Sequence, residues 1–233
     1  MKKGVTPDKY YKLEVQDTQS YSLTCDKGHI TRIAMQQSKF ELLFEMGCNA
    51  IADGYYREAI ASFAASLERF YEIFIKASLF QNKVTNEEIE KLWKSVYSNS
   101  SERQIGAYSA IYSMLNSSQP TLLSKKTIEL RNKTIHKGHI ASKSEAIDYG
   151  QQVINSFIKD EVVLGTHLSE GVNDALMFEH IKAAGWTPHS GEGYQSSIFT
   201  MMVLKPSTKE RNPPSVSDHV KLLEQHRELG LRL

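Results

Sequence analysis

The sequence has little that would commit it to an unusual environment. Two cysteines, Cys25 and Cys48, stand in 233 residues, too few for a disulfide framework and compatible with reduced thiols. No apolar run approaches the length of a membrane span, and Met1-Lys2-Lys3 leads into polar residues rather than an apolar signal region. These absences point to a cytoplasmic protein without a membrane partner. An excess of one charge is missing too: 28 Lys and Arg face 27 Asp and Glu. No global basic field can then hold nucleic acid, and any such contact must be local. No internal repeat is visible.

What is present is helical periodicity. From Ser38, the residues Phe40, Leu43, Phe44, Gly47 and Ile51 recur at three- and four-residue steps up to Asp53-Gly54, which predicts a first core helix. "YYREAIASFAASLERFYEIFIKASLF" then keeps Ala59, Phe63, Phe70, Phe74 and Ala77 on one face over about seven turns. "TNEEIEKLWKSVYS", capped by Thr85 or Asn86, and "ERQIGAYSAIYSMLN" predict two more helices, and a fifth begins around Leu122. Gly138 is a stop signal, and Ser142 with Glu145 forms a capping box that opens the next helix. Helical character resumes through "EGVNDALMFEHIKAAGW", with Gly165 and Gly171 as candidate breaks. At the ends, "VQDTQSYSLTC" and "YQSSIFTMMVL" read as short strands, "KPSTKERNPPS" as a linker, and Asp218 as the cap of a short final helix. The expected fold is all-α, an antiparallel helical bundle with irregular or β-containing additions at both ends. The boundaries are an N-terminal extension over 1–35, a helical domain over 36–186 and a C-terminal appendage over 187–233.

The chemistry-bearing stretch is "ELRNKTIHKGHI", Glu129 to Ile140, at the end of the fifth helix. Asn132 and His136 lie four apart, on one helical face, so Asn132 can orient the imidazole. Arg131 lies about 140° around the helix from His136, within reach through its long side chain. Histidine can take a proton from a ribose 2′-hydroxyl or give one to a 5′-oxygen. The planar, permanently charged guanidinium can stabilise a phosphorane-like transition state without a metal. One His and one Arg are few groups for both acid and base. A homodimer joined by a two-fold axis would bring two copies into one cleft. The plainer explanation of the same residues is a set of cations complementing the C-terminal end of a helix dipole.

"LRNKTIHKG", followed by a helix starting in "SKSEAIDYG", resembles the HEPN superfamily of helical nucleotide-binding domains, whose signature is an Arg, four to six residues, then a His. The long helix over "DGYYREAIASFAASLERFYEIFIKA" is similar to the family's first-half helices, and the resemblance covers roughly residues 38–160. It implies a metal-independent, cofactor-free endoribonuclease acting as a homodimer, commonly a toxin or an effector of antiphage defence. Arg131 and His136 would be its catalytic pair and Asn132 an orienting residue. An acid on the long helix would join them, Glu68 or, as the alternate, Glu72. The products would carry a 2′,3′-cyclic phosphate and a 5′-hydroxyl. RNA would be the substrate, and an antitoxin or sensor would be a separate chain. The Glu-x-x-x-Lys-Arg element of some members is not plainly present. Noncatalytic members imply one alternative, a nucleotide- or partner-binding module of the same fold; a second is a purely structural helical interaction protein, for which the pair is only a helix end.

Other features are weaker. Lys125, Lys126, Lys133, Lys137 and Lys143 make the motif region locally basic, which suits an RNA backbone, with Lys133 and Lys137 nearest the pair. Tyr10-Tyr11 and Tyr55-Tyr56 could stack bases, although aromatic residues at helix starts more often pack inward. Cys25 and His29 have the spacing of two zinc ligands without a nearby second pair, and His136 with His139 could share a metal only if the helix ran through Gly138. No metal site is expected. "GWTPHSGEGYQ", with His189, reads as a surface loop.

Overall fold

The computed structural model describes residues 14–97, 100–184, 194–196, 201 and 203–230. Tyr10-Tyr11 and His189 with most of its loop lie outside the described residues. The chain divides into two compact units, Met1–Gln36 with His180–Ser196, and Gln37–Glu179 with Ser197–Leu233.

The smaller unit carries a three-stranded sheet of order β1-β2-β3, built from β1 (Ser20–Thr24), β2 (Ile30–Met35) and β3 (Tyr194–Ser196). β1 and β2 form an antiparallel hairpin in the register Ser20 to Ala34 and Thr24 to Ile30, and β3 runs parallel to β2 with Ile33 opposite Tyr194. The alternation in "VQDTQSYSLTC" thus forms a strand, and in "YQSSIFTMMVL" the first three residues form one, with 197–200 outside the described residues.

The larger unit is a helical bundle. Its helices are α1 (Lys39–Ala52), α2 (Tyr56–Gln81), α3 (Asn86–Leu92) running into a π-helical turn (Trp93–Tyr97), α4 (Ser101–Asn116), α5 (Lys125–His136), α6 (Lys143–His167), α7 (Ser169–Ala184, whose last residues belong to the smaller unit) and α8 (Val216–Glu228). Ser38 opens α1 with a capping box to Glu41, Thr85 caps α3 and Ser100 caps α4. The fifth helix starts later than Leu122, because Ser124 accepts from Thr127 N and fixes the first turn at Lys125. Among the described residues no helix is long and apolar enough to cross a membrane.

The core is aromatic. Phe40, Phe44, Phe63, Phe70 and Phe157 meet at ring separations of 4.4–6.1 Å, which joins α1, α2 and α6 into one layer. Gly47 of α1 and Gly150 of α6 both abut the Phe63 ring: a Cβ would sit 2.5 Å from it at Gly47 and 2.8 Å at Gly150. The ring fills the space that two side chains would otherwise claim. α6 also runs unbroken through Gly165, because a Cβ there would strike the backbone of Ser207, so the glycine admits a crossing chain instead of ending the helix.

That crossing chain is the linker of the sequence reading, and with the residues just before it the linker forms a fastened strap. Met201 N donates to Glu45 Oε2 and Leu204 N to Glu41 Oε1, each at 2.8 Å. Lys205 N donates to Glu161 Oε1 at 2.8 Å, and Arg211 grips both oxygens of Glu161 at 2.7 and 2.9 Å. α8 follows, capped by Ser215 rather than Asp218, and places Val216, Val220 and Leu223 in the core.

Candidate functional site

α5 and α6 form an antiparallel hairpin against α2, and the motif lies on its first arm. The turn between them is set by two local devices. Gly138, at φ +70, reverses the chain so that His139 N donates to Lys133 O at 3.1 Å. Four residues later Ser142 and Glu145 close the capping box predicted from their spacing.

Arg131 and Glu68 come together: Arg131 Nη2 lies 3.4 Å from Glu68 Oε1, and both side chains are about one-third exposed. Arg131 Nη1 donates to Asn132 Oδ1 at 3.1 Å. Asn132 is therefore turned toward the guanidinium, and its carbonyl oxygen is engaged there rather than at His136. A planar cation held at one end by a carboxylate and at the other by an amide keeps part of its fork open to solvent, an arrangement suited to an oxyanion. The Tyr149 hydroxyl lies in the field of the same pair: burial first, then Glu68, push it up against the lowering effect of Arg131, to about 12.

Glu72 is not at this site. It is buried, accepts from Lys76 at 2.5 Å and pairs with Arg69. Lys76 reaches on to Glu179 at 3.0 Å and lies 5.0 Å above the Trp93 ring, so this acid belongs to an internal network. Of the two acids suggested by the family resemblance, Glu68 is the one beside Arg131.

His136 occupies the last turn of α5, exposed, and no hydrogen bond joins it to Arg131 or Asn132. Lys137 is exposed at the helix end. Lys133 extends to Glu145 Oε1 at 3.4 Å and lines a cleft of ≈ 340 Å³ between α5 and α6, together with Lys126, Thr127, Asp148, Tyr149 and Gln152. Tyr55 is 63 % exposed at the start of α2, whereas Tyr56 packs on the core. Both lie at least 12 residues from Glu68, about 18 Å along the helix. They do not join the Arg131 cluster.

Sequence reasoning missed one pair. The His139 imidazole lies 3.2 Å from each oxygen of Glu145. Glu145 also accepts from Ser142 N at 2.9 Å. That backbone N–H first, then His139 and Lys133, pulls its carboxyl down to about 2. The signals were present: a glycine stop after α5 and a capping-box Glu opening α6 bring the residue after the glycine back beside that Glu.

The His136–His139 metal pair does not form on one helix, since α5 ends before Gly138. Cys25 is a free, half-buried thiol whose N–H donates to His29 O in the β1–β2 turn, and among the described residues no three His, Cys, Asp or Glu side chains gather to hold a metal ion. No family model, no curated protein and no solved structure matches the chain.

Proposed function

We propose that the chain is a metal-independent endoribonuclease of the HEPN type, serving as a toxin or antiphage-defence effector. The observation that carries this reading is the Glu68–Arg131–Asn132 relay. Residues 63 apart in sequence, Arg131 from the motif and Glu68 from the family resemblance, meet on adjacent helices and leave the guanidinium partly open. Arg131 holds the scissile phosphate and stabilises its extra charge in the transition state. Glu68 and Asn132 fix the plane of the guanidinium, and His136, exposed one turn away, moves protons. The RNA backbone lies along the lysines of the hairpin, including Lys133 and Lys137.

The proposal includes a homodimer. A second copy would cover Ile140, 90 % exposed beside the motif. A separate antitoxin or sensor protein restrains or triggers the nuclease.

The second reading is a noncatalytic module of the same fold that binds a nucleotide phosphate. The lack of any bond between His136 and the Arg131 relay favours it. Arg131→Ala and His136→Ala separate the two. In a nuclease each lowers RNA cleavage at least about 100-fold with an unchanged circular dichroism spectrum. In a binding module Arg131→Ala loses nucleotide affinity, and no RNA is cut by any form.

A further inference from the structure

The proposed reaction needs one group to take a proton and another to give one, and the Arg131 cluster contains a single imidazole. The α5–α6 turn contains another. We propose that His139, oriented by Glu145, is the general base of the ribonuclease and that His136 is its general acid. The inference rests on the nuclease reading and names a residue that the motif does not contain.

Three features place His139 in this role. Its backbone is fixed, because the Gly138 reversal ties His139 N to Lys133 O at 3.1 Å. Its ring is fixed, because Nε2 stands 3.2 Å from both Glu145 oxygens, and Glu145 is itself locked by the cap hydrogen bond from Ser142 N at 2.9 Å. Its tautomer is fixed as well. An ionised carboxylate can only accept, so in a neutral ring Nε2 is the nitrogen that carries the hydrogen and Nδ1 the one with the free lone pair. A carboxylate behind an imidazole also stabilises the imidazolium formed when the base takes a proton. His139 is half-buried, with 30 % of its side chain exposed, so the ring remains accessible. Three peptide links hold its Cα within about 11 Å of that of His136, which allows two imidazoles to flank one phosphate. His136 lacks a carboxylate partner of this kind.

The step balances within one chain. The 2′-hydroxyl oxygen bonds to phosphorus as its proton passes to His139 Nδ1. The P–O5′ bond breaks, and O5′ takes a proton from the His136 imidazolium. A cyclic 2′,3′-phosphate and a 5′-hydroxyl leave, with the 2′-hydroxyl proton on His139, the His136 proton on O5′ and His136 left neutral. The proton relay therefore does not require a second copy.

The test compares wild type, His136→Ala and His139→Ala on an oligoribonucleotide containing the mapped cleavage site, and on the same oligonucleotide with sulfur replacing the bridging 5′-oxygen. A thiolate leaves without being protonated. Both variants should lose at least about 100-fold on the normal RNA. On the sulfur substrate the loss should shrink for His136→Ala and persist for His139→Ala. Glu145→Gln, which retains an acceptor for the cap of α6, should keep the circular dichroism spectrum and melting temperature while losing rate on both substrates. That separates a positioning role from a structural one. Wild-type rates in His139→Ala, or rescue of His139→Ala in place of His136→Ala by sulfur, overturn this inference and leave the nuclease reading standing. Intact RNA with wild-type protein overturns both.

Discussion

The C-terminal strap and the α5–α6 hairpin both gather donors around glutamates of the bundle, and they differ in what is left over. In the strap, Glu41, Glu45 and Glu161 are buried and their oxygens are taken up by backbone N–H groups, with His219 on Glu45 and Arg211 on Glu161. At the hairpin, Glu68 of the neighbouring α2 and Glu145 of α6 are each about one-third exposed, and so are the Arg131 and His139 side chains they hold. The first arrangement fastens chain to bundle. The second fixes a cation and an imidazole while leaving each accessible, which is what a site for an anionic substrate requires.

The comparison breaks most visibly at Glu161. Glu161→Ala removes the buried carboxylate that accepts from Arg211 and from the Lys205 N–H, and should cost about 3 kcal/mol in urea unfolding. Next in size is Gly150→Ala, whose methyl would press on the Phe63 ring in a close-packed layer; about 1–3 kcal/mol of overpacking is expected in the same measurement. Glu161 lies away from the Arg131 cluster, and its replacement should not alter the chemistry there while the fold persists.

Asp160, next to Glu161 on α6, sharpens the contrast. It is buried and accepts a hydrogen bond from Tyr108 at 2.8 Å, with Lys159 nearby in charge. Burial first pushes its carboxyl up from 3.8 to about 7, against the lowering pull of Tyr108 and Lys159. The folded protein therefore binds a proton that the unfolded chain has lost. Its contribution to stability is greatest below the unfolded value and declines as pH rises toward the folded value. Melting temperatures measured from pH 5 to 8 should fall more in wild type than in Asp160→Asn, which stays neutral and can still accept from Tyr108. Smallest of all is Glu68→Ala. Removing an ion pair that is one-third exposed should shift stability by no more than about 1 kcal/mol, while RNA cleavage falls because the guanidinium loses its anchor. A large stability loss with unchanged cleavage would reverse the contrast between strap and hairpin.

The sequence carried the helices well because their signals are local. The capping box at Ser142, the cap at Thr85 and the apolar periodicity of α2 each act within a few residues, whereas the cap of α8 falls at Ser215, three residues before the Asp218 expected from the sequence. The strap was illegible for the opposite reason. "KPSTKERNPPS" has a linker's composition, and the carboxylates that hold the strap lie 44–163 residues away, on α1 and α6. Arg131, Asn132 and His136 could be read from one short stretch. The choice of Glu68 over Glu72 depended on which acid of α2 faces α5 and which turns to Lys76, and only tertiary packing decides that. The His139–Glu145 pair depended on the path of the turn after Gly138, although both of its local signals were in view.

The most direct measurement is incubation of purified wild type and His136→Ala with total RNA in EDTA, followed by analysis of the fragment ends. Fragments from wild type alone, bearing 2′,3′-cyclic phosphates and 5′-hydroxyls, are expected of a metal-independent nuclease working through His136. Intact RNA in both reactions, or equal cleavage by the two proteins, would contradict it.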